Sequence, residues 1–153
     1  MTLLNRLKRA ETGLVNVTAS TLSVTRRLHA GKTIALNRAA GTAVTLPAAS
    51  GSGDKYEFVV GTTNSGGSTT ILSPNAAGTF IGTALLFQDA GDTAVGFAAV
   101  AGTSDTLTLN GTTLGGIAGA KAVVTDVAAN VYHVEYVSDA SGVEATPFSA
   151  TVA

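Results

Sequence analysis

Apolar and polar residues alternate along most of this chain with a period of two, and small turn residues interrupt the alternation every few positions. That period places successive side chains on opposite faces of a strand. Between residues 55 and 60, Tyr56, Phe58 and Val60 share one face, and Lys55, Glu57 and Val59 the other. Between 131 and 137, Tyr132, Val134 and Tyr136 oppose His133 and Glu135. Further strands are predicted over 33–36, 43–46, 69–72, 84–88, 95–100, 105–109 and 120–127. Ser50-Gly51-Ser52-Gly53-Asp54 reads as a turn, and Asn110-Gly111, behind Thr106-Leu107-Thr108-Leu109, is a hairpin signal. No segment of the body shows sustained helical periodicity bounded by caps. Many short strands with turns between them predict an all-β fold, a β-sandwich or a jelly-roll-like barrel.

The first thirty residues read differently. Residues 2–10 are compatible with one or two helical turns that cluster Leu3, Leu4 and Leu7, a helix too short to hold without a docking surface. Residues 14–25 then alternate through Val15, Val17 and Ala19, with Leu22 and Val24 beyond, before Arg26-Arg27. Residues 1–38 hold seven cations against Glu11 alone, a net +6; residues 39–153 hold two against nine acids, a net −7. The overall charge of −1 hides this division. The pattern divides the chain into a basic N-terminal arm, 1–30, of short helix and extended segments, and a β-body, 31–153. A segment charged oppositely to its own body points to a partner outside that body.

At 153 residues the chain is long enough to bury roughly 70% of its unfolded surface. Charged residues make up 12%, which is about half the usual share and leaves little repulsion between copies. An oligomer that hides apolar surface between subunits is expected. The absence of Cys excludes disulfides and thiolate metal sites. Arg6, Lys8 and Arg9 are followed by Glu11, Thr12 and Gly13 rather than an apolar run, so no secretion leader is expected. The most apolar stretch, 80–101, is broken by Gln88, Asp89 and Asp92, and a soluble protein rather than a membrane one is expected.

Candidate chemistry is sparse. Gly31-Lys32-Thr33 resembles the end of a phosphate loop, but Arg26 stands where its first Gly belongs and a β-prone run follows instead of a helix. Gly51-x-Gly53 fails as a dinucleotide loop, because Tyr56 occupies the third Gly position. His29 and His133 have no partner at ligand spacing, and His29 reads as an extension of the basic patch. The acid pairs Asp54/Glu57 and Asp89/Asp92 read as polar turns and strand faces, without Trp platforms for a sugar. No acid, base and nucleophile converge, so neither an enzyme nor a cofactor or metal site is expected. Nucleic acid is disfavoured as a partner, since the basic arm contains no aromatic to stack on bases. Its cations are interleaved with Leu and Val, which suits a protein groove or an added edge strand.

The run from Gly31 to Gly61, with Gly31-Lys32-Thr33-Ile34, Val44-Thr45-Leu46-Pro47-Ala48, Gly51-x-Gly53 and the strand from Tyr56, resembles capsid decoration (cement, or head-stabilising) proteins of tailed bacteriophages. The segments Asp105-Thr106-Leu107-Thr108-Leu109-Asn110-Gly111, Gly115-Gly116 and Glu144-Ala145-Thr146-Pro147-Phe148 agree with it. The resemblance covers most of the body and stops short of the arm. It implies β-sandwich subunits, commonly homotrimers, that bind the major capsid protein on the outer surface of the virion head. On this reading the arm residues Leu3, Leu4, Arg6, Leu7, Lys8, Arg9, Arg26 and Arg27 contact the capsid or a neighbouring subunit. The alternative is a phage fibre or receptor-binding module whose arm attaches to the virion and whose β-body binds a host glycan.

Overall fold

A computed structural model of the chain describes residues 13–88, 91 and 93–153. In order, the elements are β1 (Leu14–Val17), β2 (Thr21–Ser23), a single helical turn α1 (Arg26–His29), β3 (Thr33–Leu36), β4 (Ala43–Thr45), β5 (Lys55–Val60), β6 (Thr69–Leu72), β7 (Thr79–Gln88), β8 (Ala94–Ala98), β9 (Thr106–Leu109), β10 (Lys121–Ala128), β11 (Val131–Ala140) and β12 (Phe148–Ser149). They form a seven-stranded sheet in the order β1-β3-β5-β10-β11-β7-β8 and a five-stranded sheet in the order β12-β9-β6-β4-β2. The fold is all-β and sandwich-like, as the alternation predicted.

The first six strands go alternately to one sheet and the other. Within each sheet they pair in parallel, β1 with β3 and β3 with β5, β2 with β4 and β4 with β6. Parallel partners need a long crossover, ordinarily a helix. Here the strand laid down in the opposite sheet supplies it, so this half of the chain winds as a flattened coil. The winding stops at β10, which runs antiparallel to β5 and to β11. The rest of the chain then completes both sheets in mixed fashion, with β7 parallel to β11 but antiparallel to β8.

The second part of the expected arm supplies two strands of this coil, Leu14–Val17 and Thr21–Ser23. Val17 and Val24 are buried in the common core, and β1 and β2 are the outermost strands at one end of their sheets. Residues 1–12, which include the expected short helix, lie outside the described residues. The hairpin expected at Asn110-Gly111 is absent. Its return is a lone bridge between Thr112 and Gly115, and the next strand, β10, belongs to the other sheet. The close antiparallel hairpin is β10–β11 instead, turned by Asn130 at φ 60. β7 starts five residues ahead of the expected 84 because it runs through Gly82. Gly82 sits at φ 119, and a Cβ there would meet the Val134 carbonyl oxygen at 2.1 Å, so only glycine fits this approach to β11.

The core lies between the sheets. Ile34, Val44, Ile71, Phe80, Leu86 and Leu107 are fully enclosed. Tyr132 stacks edge-on against both Tyr56 and Phe80, with ring centroids 6.5 and 6.4 Å apart. Each such pair contributes about 0.5–1.5 kcal/mol beyond simple burial. The phenols keep their polar ends satisfied: Tyr132 donates to the Pro47 carbonyl at 2.7 Å and Tyr136 to that of Leu114 at 3.2 Å.

All three tyrosines of the chain are therefore inside it. Burial pushes the pKa of Tyr56 and Tyr132 up, and that of Tyr136 up to about 12. A raised pKa keeps its proton on the folded form. Stability is thus complete below the unfolded value of about 10 and falls as pH rises from there toward 12. Absorbance at 295 nm should show the phenolate signal displaced above pH 10, with its main rise coincident with loss of the far-ultraviolet circular dichroism. Ionisation of all three tyrosines near pH 10 with the fold intact would contradict this packing.

Candidate functional site

The cations that sequence places in one patch are divided by the structure. Leu3, Leu4, Arg6, Leu7, Lys8 and Arg9 lie outside the described residues. Arg26 and Arg27 open α1, and their side chains have different surroundings. Arg26 turns to its own fold, pairing with the Asp54 carboxylate and donating to Ser50 Oγ at 3.0 Å. Its guanidinium also comes within 3.7 Å of Asp126. Arg27 is exposed, as is Leu28 beside it at 56%. His29 does not extend the basic surface. It is buried, with Nδ1 accepting the Thr25 N–H at 2.9 Å, so it closes the start of α1 from within.

Asp126 is the acid at the centre of this clasp. In β10 it shares the inward phase of Ala122 and Val124, and the ladder shifts register immediately after it. Its carboxylate accepts the Ser50 N–H at 3.0 Å, the Gly51 N–H at 2.6 Å and the Ser52 hydroxyl at 2.8 Å. The turn is clamped from both sides, since Gly53 N–H donates to the Asp126 carbonyl at 2.8 Å and Asp126 N–H to that of Asp54 at 2.9 Å. Burial by itself would raise the Asp126 pKa. The Ser50, Gly51 and Ser52 donors outweigh it and hold the carboxyl below the usual range. Sequence reading found the turn but gave Asp126 no role. The available signal was an acid on the apolar phase of a strand, which has to find donors.

Beside the clasp lies a shallow groove of ≈ 230 Å³ lined by Gly31, Lys32, Thr33, Lys55, Glu57 and Val123. A second hollow continues from it past Gly13 and Leu14. The basic segment 1–12 therefore joins the body where Lys32 lies and where Leu14 is 67% exposed. Of the acids there, Glu57 is already engaged by Lys121 and by the Thr33 hydroxyl, each at 2.8 Å, and both hold its pKa down. Asp54 is engaged by Arg26. The pair Asp54/Glu57 is thus part of two ion pairs rather than a facing acid and base. Asp89 and Asp92 lie outside the described residues. Among the described residues no group of His, Asp and Glu is placed to hold a metal ion, and no helix is long and apolar enough to cross a membrane. Comparison with protein-family models, curated proteins and solved structures finds no match to this chain.

Replacing Asp126 by Ala would strand the Ser50 and Gly51 N–H groups, and a loss of about 3 kcal/mol is expected. That corresponds to a fall in Tm of roughly 6–12 °C. Arg26→Ala should cost only about 1 kcal/mol, because its side chain is 56% exposed and solvent screens the pair. Since the folded pKa of Asp126 is depressed, its contribution is present above the unfolded value of about 3.9 and lost as pH falls through the folded one. Thermal unfolding of both variants from pH 2 to 7 checks this. An Asp126→Ala protein that matches the parent at pH 7 would remove the clasp from the stability of the fold.

Proposed function

We propose that this chain is a structural virion protein that binds the major capsid protein on the outer surface of a phage head, as an oligomer, and stabilises the head. The observation that carries the reading is the mixed surface where the basic segment meets the body. Leu14 stands exposed there and Lys32 lines the hollow beside it, while Arg27 and Leu28, in the helical turn shortly before Gly31 in sequence, are exposed as well. Apolar side chains set among cations suit a folded protein shell, whereas a nucleic acid is met by cations and stacking aromatics. Between this end and the far edge lies a β-body whose polar clusters serve its own fold. DNA packed inside a head pushes outward, and a clamp spanning neighbouring shell subunits raises the cost of their separation. An oligomer engaging several equivalent sites multiplies weak contacts into durable binding.

The test uses truncation at residue 12, since removing 1–30 would also take β1, β2 and the buried Val17 and Val24. Full-length protein and the 13–153 fragment are sedimented with purified expanded heads at low and high salt. Full-length protein should co-sediment, the fragment should lose at least about tenfold in affinity, and added salt should weaken the intact protein as charge screening requires. Failure of the intact chain to bind heads would sink the reading. Equal binding by the fragment would remove residues 1–12 from the contact.

A further inference from the structure

The seven-stranded sheet ends on β8, and among the described residues no strand pairs with its outer edge. Natural proteins blunt edge strands with charge, proline, bulges or brevity, because unpaired backbone groups invite another strand. The edges of the five-stranded sheet are brief, three residues in β2 and two in β12. β8 runs five residues, Ala94-Val95-Gly96-Phe97-Ala98, without a charge or a proline. Beside it on the outer face, Leu85 and Phe87 are 38% and 42% exposed, and Val100 just beyond its end is 62% exposed.

The hydrogen-bond phase of β8 tells which groups face outward. Gln88 N–H donates to the Thr93 carbonyl at 2.9 Å and Ala99 N–H to that of Gly82 at 3.0 Å. Thr93, Val95, Phe97 and Ala99 therefore turn their backbone groups toward β7. By the alternation of an antiparallel ladder, Ala94, Gly96 and Ala98 turn theirs to the free edge. The strand also reads nearly the same in both directions about Gly96, with Ala at each end and Val95 balanced by Phe97.

We propose that β8 pairs antiparallel with β8 of a second copy of this chain, across a twofold axis at Gly96. Gly96 then faces its counterpart as a mutually bonded pair, Ala94 and Ala98 form such pairs on either side, and every outward group of the strand finds a partner. Val95 and Phe97, half-buried on the core side, come opposite each other in the space between bonded pairs, where side chains approach closest. No charges meet at the seam. The two sheets join into one, bringing the exposed Leu85 and Phe87 of both copies onto a common face. The proposal keeps the oligomer of the reading above but makes it even-numbered, in place of the homotrimer that the resemblance implies; it is measured without a capsid, so either can fail alone.

The chain has no Cys, so Gly96→Cys places a single thiol on the proposed axis. A Cβ there has open space, its nearest neighbour being the Ala84 carbonyl oxygen at 4.0 Å. Bonded antiparallel partners lie about 5.5 Å apart at Cα, inside the span of about 4.4–6.8 Å that a disulfide bridges. Intact protein should sediment at an even multiple of the monomer mass, and mild oxidation of G96C should give covalent dimer at least about tenfold faster than Val143→Cys, an exposed control. Gly96→Pro removes an outward N–H without touching the β7 ladder, and should shift the mass to monomer with the circular dichroism unchanged. A monomeric or trimeric intact protein overturns the proposal, as does G96C cross-linking no faster than the control.

Discussion

A carboxylate that folding withdraws from water has to be met by donors, and Asp126 is where this chain meets that constraint. Its place on the inward phase of β10 leaves it no solvent, so the 50–54 turn brings it the N–H groups of Ser50 and Gly51. That backbone needs a left-handed residue, which Gly51 supplies at φ 78. Once the turn is held, Asp54 faces Arg26 and α1 is anchored over it. The clasp thus joins three pieces of chain distant in sequence, and it sits where β10 runs back along β5 and the parallel winding ends. The tyrosines lie against the same junction, with Tyr132 directly opposite Asp126 across the β10–β11 hairpin.

Strand positions were legible because alternation is a local property. The strands over 33–36, 55–60 and 69–72 fall where the pattern puts them, and the inward faces of β5 and β11 are the ones that Tyr56 and Tyr132 announce. Which strands pair was not legible. Nothing in Val15 or Val17 reveals that β1 lies parallel to a strand beyond α1, so in sequence the edge strands look like extended segments of an arm. The basic doublet was misleading for a related reason. Arg26 and Arg27 are neighbours in sequence, but the first is bound by an acid 28 positions away and the second has no ion pair among the described residues. His29 likewise looks like surface beside two arginines until its ring folds back on Thr25.

Glycine explains the other misreadings. Asn110-Gly111 is a turn signal that the structure uses for something else. A Cβ on Gly111 would lie 1.6 Å from the Asn64 carbonyl oxygen, so the loop presses against a neighbouring connection instead of returning as a strand. Asn64 is itself buried, its amide donating to the Leu109 carbonyl at 2.8 Å and its oxygen accepting the Thr69 hydroxyl at 3.3 Å. In a chain poor in aromatic residues, close backbone approach takes over part of the packing that large side chains provide elsewhere. Sequence shows the glycines but not what they approach.

The two edges of the seven-stranded sheet differ in kind, and the difference bears on how the proposed contacts coexist. β1 lies beside Lys32 and follows directly on the cations of 1–12, and its Asn16 is bonded to Asn37 at 2.6 Å. β8 is uncharged and apolar. Six strand spacings separate them, roughly 29 Å, more than three screening lengths at physiological salt. The charge of Lys32 beside β1 therefore does little to repel a second copy arriving at β8, and a partner bound at β1 leaves β8 open. An arrangement with both functions on one edge would force attachment and self-association to compete. With the two proposed contacts at opposite ends of one sheet, an assembled pair would present both β1 edges outward, as the proposed clamp between shell subunits requires.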